Sequence, residues 1–228
     1  MRLSRFLMFV GLVGATACGG GTPDTSPSSS PSASTVQAYQ AVGQEMTSSI
    51  TTYHGDTSTM PDSAACQAAW EKYQAAMALE LGHMQEMSPV MDEHMGDDGH
   101  HGVADMSCVA NAMAAEFQRH AAAACAAHEV VADRGEAGEH VATMTEWMEH
   151  QRVRYQELGS TMGMMSPPSE TTWTCHQNPD GSYTMGDHTW SPTDPHPADP
   201  HPTDPHPTDP TPTPTPWPPC DCHDGRCG

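Results

Sequence analysis

Basic residues are scarce in this chain of 228 residues. Eight lysines and arginines stand against 29 aspartates and glutamates, which gives a formal net charge of −21. Because contact with nucleic-acid phosphates needs a basic face, we expect no nucleic-acid partner. A strongly acidic chain favours cationic partners instead, metal ions among them.

Leucine is also scarce, and so are the signatures of common enzymes. Beyond residue 17 the chain has only Leu79, Leu81 and Leu158, whereas 15 of its 17 methionines lie there. Methionine fills irregular cores well, and its thioether is also a ligand for Cu(I). No nucleophile–base arrangement, phosphate-binding loop or complete di-metal motif is visible in the sequence, so we expect the chain not to be an enzyme.

Long apolar runs are missing, but a short one near the N-terminus is typical of a signal peptide. Residues 6–14 are apolar and follow Arg2 and Arg5. The run is too short to span a bilayer as a helix and has the length of a signal-peptide core. We expect residues 1–17 to be removed on export. Six basic residues then face 29 acidic ones, a formal net charge of −23.

A cysteine follows the apolar run directly. Residues 15–18 read Ala-Thr-Ala-Cys, and Gly19 comes next. The segment resembles the lipobox of bacterial lipoproteins, although Ala15 stands where that family prefers leucine. The resemblance implies that Cys18 becomes the new N-terminus and carries acyl chains that hold the protein to a membrane. Glycine after the cysteine implies the outer membrane of the cell envelope. The alternative is an ordinary secretory signal cut near Ala17.

Composition divides the exported chain into a tether, a helical region and a tail. Residues 18–34 are rich in Gly, Ser, Thr and Pro, which is typical of a flexible tether. Between residues 35 and 165 apolar residues recur at helical spacing in four segments, about 35–57, 63–95, 104–132 and 136–163. Four amphipathic segments with short joints predict an all-α, antiparallel four-helix bundle.

Three residues punctuate this helical pattern. Ser63 is expected to cap the second helix at its N-terminus. Pro89 lies inside the second helix and is expected to kink it or end it early. Gly135 is expected to separate the third helix from the fourth.

The pattern changes after residue 165. Asn178-Pro-Asp-Gly181 lies between two short β-prone runs and predicts a small β-hairpin within residues 166–190. From 191 to 228 the chain is dominated by a five-residue repeat containing Asp-Pro-His-Pro. Prolines at this density block helix and sheet, so we expect an extended, disordered Pro-rich tail with no core of its own.

Two segments concentrate residues that bind soft or borderline metal ions. The joint between the second and third helices offers Met91, His94, Met95, His100 and His101. The tail offers His196, His201, His206, Cys220, Cys222, His223 and Cys227. Since imidazole suits Cu and Zn and thioether selects Cu(I), we expect Cu or Zn to bind at these segments. The alternatives are a solvated acidic joint, and tail cysteines that close a pair and leave a free thiol.

Helix counting also places polar residues in the predicted core. One layer combines Glu80, His83, His120 and Met148, and a second pair combines His128 and His140. Buried carboxylates and imidazoles are costly unless they are paired or bind a metal. The layer therefore predicts a metal site. The alternatives are that Glu80 and His120 form a hydrogen bond with each other or point to solvent at the edge of the apolar stripe. Glu-x-x-His is similar to the motif of ferritin-like di-iron bundles, but that family needs two copies and only one is present, which disfavours a di-iron site.

Four further cysteines belong to the predicted folded part. In an exported chain we expect them to oxidise or to bind metal. Cys108 starts the third helix at the end where the fourth helix leads to the hairpin, so it is expected to pair with Cys175. Cys66 and Cys125 would then pair near the opposite end.

The sequence thus predicts a membrane-anchored envelope lipoprotein that binds or buffers Cu or Zn. The alternative is a structural or protein-interaction lipoprotein of the envelope with no metal role. The sequence does not identify the protein partner in that case.

Overall fold

The computed structural model is mostly helical and carries one small sheet. The described residues are 33–95, 105–127, 129–169, 173–193 and 216–217. The helices are α1 Ala33–Ser58, α2 Ser63–Met95, α3 Asp105–Ala123 and α4 Val130–Thr161. The predicted signal peptide with Cys18, and all but two residues of the tether, lie outside the described residues.

The four helices pack around a shared apolar core. Helix α1 contacts α2 and α4, α3 contacts the same two helices, and α2 also contacts α4. Methionine and tyrosine dominate the interior. The largest fully buried side chains are Tyr39, Tyr53, Tyr155, Met46, Met60, Met77, Met84, Met91, Met106, Met113, Met144 and Leu158. The methionine stripes of the sequence therefore face the core, where flexible thioethers fill the space that leucine fills in most helical proteins. No helix in the described part of the chain is long and apolar enough to cross a membrane.

Helix α2 has the bounds that the sequence predicts, but for other reasons. The side chain of Asp62, rather than Ser63, caps the helix, since its Oδ1 accepts the backbone N–H of Ala65 at 2.8 Å. The helix does not end at Pro89 and continues to Met95. Met84 and Met91 are fully buried on either side of the proline. Their packing holds both halves against the core and outweighs the backbone hydrogen bond that proline cannot make.

The joint between α3 and α4 lies earlier in the chain than predicted. Helix α3 ends at Ala123, α4 begins at Val130, and Gly135 lies inside α4. The predicted break at Gly135 is therefore wrong. Two features set the real joint: Cys125 has a positive φ of 58°, which cannot continue a helix, and the Asp133 carboxylate accepts the backbone N–H of Ala127 at 3.1 Å.

The sheet has one strand more than the predicted hairpin. Strands β1 Cys175–Gln177, β2 Tyr183–Met185 and β3 His188–Trp190 are antiparallel and lie in the order β1-β2-β3. The predicted turn at 178–181 is present, and Gly181 adopts a φ of +86° in it. A second tight turn at Gly186, with a φ of +63°, leads into β3. Strand β3 was not predicted, because only two residues separate it from β2.

Two disulfides tie these elements together, and both predicted pairs are confirmed. Cys66 at the start of α2 is bonded to Cys125 in the α3–α4 joint. Cys108 in the first turn of α3 is bonded to Cys175 in β1, which fastens the sheet to the helices. Each bridge closes a long stretch of chain, with sequence separations of 59 and 67 residues. Loops of this length are those in which a cross-link most reduces the entropy of the unfolded chain.

One residue of the predicted tail packs into the helical core. The Trp217 side chain is 4% exposed, and its ring lies 6.1 Å from that of Tyr39 and 5.3 Å from that of Tyr155. It also covers Gly43 on α1, where a Cβ atom would overlap the ring. The tail was predicted to have no core of its own, and Trp217 packs instead into the core of the helices. Residues 194–215 and 218–228 lie outside the described residues.

Candidate functional site

The polar centre of the core is built by two helices that carry the same pattern. Helix α3 supplies Glu116 and His120, and α4 supplies Glu136 and His140, each pair one helical turn apart. Residues four apart lie on one face of a helix, so both pairs point to the same interior space. Glu116, His120 and His140 are fully buried.

The histidines and carboxylates pair across the two helices. His120 Nδ1 lies 3.2 Å from Glu136 Oε1, and His140 Nδ1 lies 2.7 Å from Glu116 Oε1. The two imidazole rings stack with centroids 4.0 Å apart and an interplanar angle of 7°. Because an ionised carboxylate only accepts hydrogen bonds, each Nδ1 is the donor, and each Nε2 is left as an acceptor.

Two tyrosines from α1 and α2 complete the arrangement. The Tyr53 hydroxyl lies 2.8 Å from His120 Nε2, and the Tyr73 hydroxyl lies 3.1 Å from His140 Nε2. The two phenol rings stack at 4.3 Å with an angle of 12°. We call Tyr53–His120–Glu136 and Tyr73–His140–Glu116 the twin chains. Each residue of one chain lies 20 positions from its counterpart in the other.

Arg119 joins the carboxylate ends of the twin chains. Its Nε donates to Glu116 Oε2 at 2.7 Å, and its Nη2 lies 2.9 Å from Glu116 Oε1 and 3.0 Å from Glu136 Oε1. Burial favours the neutral form of Glu116, but the hydrogen bonds from Arg119 and His140 outweigh it and lower the pKa of this carboxyl. The cluster therefore holds an ionised Glu116 beside a guanidinium, a charge pair that is stable in the interior only because it is fully hydrogen-bonded.

The protonation states of the other members follow from their burial. Burial lowers the pKa of His140 to about 4, so this imidazole is neutral at physiological pH. Burial raises the pKa of both Tyr53 and Tyr73, so both phenols keep their protons. In the chain Tyr73–His140–Glu116, a neutral tyrosine and a neutral histidine are thus hydrogen-bonded to an ionised carboxylate.

A second buried cluster links the helices to the sheet. The Asp105 carboxylate accepts hydrogen bonds from His150 Nε2 at 2.8 Å, Arg154 Nε at 2.7 Å and the backbone N–H of Cys175 at 2.6 Å. The Trp173 ring stacks on His150 at 3.9 Å. Burial opposes ionisation of Asp105, but these donors lower its pKa. This cluster and the neighbouring disulfide hold the sheet in place, which is a structural role.

The predicted layer of Glu80, His83, His120 and Met148 does not form around His120. Both ring nitrogens of His120 are taken by Tyr53 and Glu136, so the predicted bond to Glu80 is wrong. Glu80 instead lies 3.8 Å from His83, and Met148 packs in the apolar core. The cause is the early start of α4. With that helix beginning at Val130, its first turns lie level with the last turn of α3.

The candidate ligands of the α2–α3 joint are only partly described. Met91 is fully buried in the core and packs there, contrary to its expected place in the joint. His94 and Met95 end α2, but their side chains are not among the described ones. His100 and His101 lie outside the described residues, and so do His128 and the candidate tail ligands, His196, His201, His206, Cys220, Cys222, His223 and Cys227.

Helix counting alone missed several residues of this site. Tyr53, Tyr73 and Arg119 were not among the predicted site residues. The repeated Glu-x-x-x-His spacing on α3 and α4 was a usable signal for Glu116 and Glu136. Within the described ranges, no group of three or more His, Cys, Asp or Glu side chains is arranged to hold a metal ion.

Comparison with known protein families, with curated proteins and with solved structures finds no match to this chain.

Proposed function

We propose that this chain is a membrane-anchored envelope lipoprotein that binds or buffers Cu or Zn. In this proposal Cys18 carries the lipid, and the helices form an antiparallel four-helix bundle that serves as a rigid carrier. Metal ions bind to the His-, Met- and Cys-rich segments at its ends. Support comes from the lipobox-like segment, from the acidic charge and from the crowding of soft ligands into the joint and the tail.

The observation that carries the proposal is how the structure holds the two ends of the α2–α3 joint. The Asp92 carboxylate, near the end of α2, accepts the backbone N–H groups of Met106 and Ser107, both at 2.8 Å. Cys108 then fixes the first turn of α3 through its disulfide. Both ends of the α2–α3 joint are therefore fixed to a rigid base. Fixing these ends in advance reduces the entropy that several ligands lose when they gather around one ion.

The described core defines which ligands the proposal uses. The nitrogens of His120 and His140 are bound within the twin chains, and Met91 packs in the core. The proposed first class of site therefore consists of His94, Met95, His100 and His101. The second class consists of the tail histidines and the cysteines near the C-terminus.

Calorimetric titration of the exported chain tests this proposal. We expect Cu or Zn to bind more tightly than Mg or Ca, because nitrogen and sulfur ligands dominate both classes. Combined His100→Ala and His101→Ala changes should remove one class of sites. Alanine at His196, His201 and His206 should weaken the other. Binding should weaken below a pH of about 6.5, since imidazole must be neutral to coordinate.

The matched control replaces His176 and His188, two exposed histidines of the sheet, with alanine. We expect this variant to bind metal as the unchanged chain does. If the unchanged chain binds neither Cu nor Zn more tightly than Mg, or if the control loses as much affinity as the joint variant, the assignment of these sites is wrong.

The second candidate function is a structural or protein-interaction lipoprotein of the envelope without a metal role. The observation that favours it is the pairing of His120 and His140 with tyrosine hydroxyls and carboxylates, which leaves both ring nitrogens of each imidazole hydrogen-bonded within the core. Failure of the calorimetric test would leave this function in place, with a protein partner bound by the outer surface of the helices.

A further inference from the structure

The twin chains place two stacked phenols in contact with two buried bases. The Tyr53 and Tyr73 hydroxyls each lie within hydrogen-bond distance of an imidazole nitrogen, and each imidazole is backed by a carboxylate. We propose that Tyr53 and Tyr73 form a redox site that accepts one oxidising equivalent from a small radical oxidant and holds it as a tyrosyl radical. This proposal stands apart from metal binding and uses only residues of the described core.

The step balances without any further group. A one-electron oxidant of the peroxyl or nitrogen dioxide class takes an electron from the Tyr53 ring and becomes the corresponding anion. The phenol O–H bond breaks, the proton moves to His120 Nε2, and an N–H bond forms there. The products are a neutral tyrosyl radical and an imidazolium that faces Glu136. A reductant of the ascorbate class later returns one electron, and the proton moves back to the phenolate oxygen. Tyr73 and His140 can carry out the same step.

The surroundings make the histidines necessary for this chemistry. Burial raises the pKa of both phenols, so neither is a tyrosinate at neutral pH. Loss of an electron alone would leave a positive charge on a buried ring, which is costly. Transfer of the proton to the imidazole nitrogen avoids this cost, and the carboxylate 2.7 to 3.2 Å away stabilises the imidazolium that forms.

A small molecule can approach the two rings from the surface. A pocket of about 110 Å³ opens between α1 and α2 and is lined by both Tyr53 and Tyr73. It has room for several water molecules, which suits a radical of a few heavy atoms. Asp56 and Lys72 also line it and are joined by an exposed ion pair of 3.0 Å.

The ring contacts allow the two tyrosines to share the equivalent. Their centroids lie 4.3 Å apart, and the Trp70 ring lies 6.2 Å from Tyr53 and 5.9 Å from Tyr73. Tyr39 provides the comparison within the same core. It is equally buried, but its hydroxyl donates to the Gln151 carboxamide at 2.7 Å, which is not a base. The geometry therefore assigns the radical to Tyr53 and Tyr73 and not to Tyr39.

The test is one-electron oxidation of the exported chain with azide radicals made by pulse radiolysis, followed by optical and electron paramagnetic resonance detection of the tyrosyl radical. We expect the double variant Tyr53→Phe and Tyr73→Phe to lose the long-lived radical. The matched control Tyr39→Phe should keep it. A persistent radical in the double variant, or its loss in the control, would overturn the assignment.

The role of the histidines is tested by His120→Gln combined with His140→Gln. Glutamine can accept the phenol hydrogen bond through its side-chain oxygen but cannot take the proton. We expect the rate of radical formation to fall about a hundredfold, the lower range of what a positioned base contributes to proton transfer. An unchanged rate would contradict the proposed proton acceptor.

Because the histidine variants also change two buried positions of the core, a measurement on the unaltered sequence completes the test. In a chain labelled with ¹⁵N-histidine, electron–nuclear double resonance should show coupling between the tyrosyl radical and an imidazole nitrogen. Absence of that coupling, or a radical spectrum that belongs to tryptophan, would refute the redox site whatever the variants do.

Discussion

At the scale of single residues, burial holds His140 neutral, and this makes folding sensitive to acid. His140 has a pKa of about 4 in the folded chain against an ordinary value of 6.5, because burial disfavours its charged form. The unfolded chain therefore takes up a proton at this residue as the pH falls below about 6.5, while the folded chain does not until about 4. The stability that this difference provides is present above the higher value and is lost between the two.

We predict that His140→Gln reduces this acid sensitivity. Between pH 7 and 4 the free energy of unfolding of the unchanged chain should fall by about 3 kcal/mol more than that of the variant, at 1.36 kcal/mol per unit of pKa. Urea unfolding at several pH values measures it. His188→Gln, at an exposed site on the sheet, is the control and should follow the unchanged chain. Equal slopes for the unchanged chain and His140→Gln would contradict the neutral, buried state of His140.

Arg119 carries the charge balance of the twin chains. We predict that Arg119→Gln lowers the free energy of unfolding by about 3 to 5 kcal/mol at neutral pH, because it leaves Glu116 and Glu136 without their cation. The loss should be smaller in acid, because without Arg119 burial favours the neutral form of Glu116, and its protonation removes the unpaired charge.

The control for this variant is Lys72→Gln, which breaks the exposed ion pair with Asp56. Surface pairs of this kind contribute about 0 to 1 kcal/mol. If Arg119→Gln costs no more than Lys72→Gln in the same urea titration, the guanidinium is not the stabilising centre described above.

At the scale of helices and strands, the spacing of apolar residues predicted the features that depend on residues close together in the chain. The apolar stripes gave four helices, the bounds of α2 and the inward methionines, because a spacing of three and four residues places side chains on one face. The two disulfide pairs were also predictable, because the order of the helices along the chain shows which helix ends lie at the same end of the helical region. The break expected at Pro89 does not occur, because the packing of buried residues on both sides of it outweighs the backbone hydrogen bond that proline cannot make.

The remaining features depended on contacts between distant residues. The α3–α4 joint is set by Cys125 and Asp133, whereas Gly135 inside α4 has nothing within 4 Å of its Cβ position and ends nothing. Val131, which falls within the predicted third helix of about 104–132, is 81% exposed on α4. Because the joint lies earlier in the chain than predicted, different residues of α3 and α4 lie side by side. For this reason the pairing of Tyr53 with His120, 67 residues away, was not predictable by counting.

The packing of Trp217 against α1 gives a prediction at the scale of helices. Gly43 has no side chain, and a Cβ there would overlap the indole, so Gly43→Ala should expel Trp217 from its place between Tyr39 and Tyr155. The ¹⁹F spectrum of a chain labelled with fluorotryptophan should show one resonance moving to a solvent-exposed position. Gly55→Ala is the matched control on the same helix, because nothing lies within 4 Å of that Cβ. If both variants leave all resonances in place, the Trp217 indole does not pack against Gly43 as described.

At the scale of the whole molecule, three parts of the chain are fastened to one helical core. The Cys66–Cys125 disulfide holds the α3–α4 joint, the Cys108–Cys175 disulfide and the Asp105 cluster hold the sheet, and Trp217 of the tail packs into the core. This leaves the ligand-rich joint and tail attached to a rigid body, and the proposed lipid on Cys18 would hold that body at a membrane. We predict that Cys18→Ser moves the protein to the soluble fraction or leaves an uncut precursor. Fractionation of the producing cells measures this, and unchanged membrane association that still requires detergent would count against lipidation.

The central claim is that the chain carries Cu or Zn in its native envelope. Elemental analysis of the intact protein, extracted with detergent from the cells that produce it and purified without chelators, tests it most directly. The account predicts Cu or Zn in stoichiometric amounts, reduced in a chain with alanine at His100, His101, His196, His201 and His206 and unchanged in a chain with alanine at His176 and His188. Cu and Zn at the level of the buffer blank in the unaltered protein would contradict it.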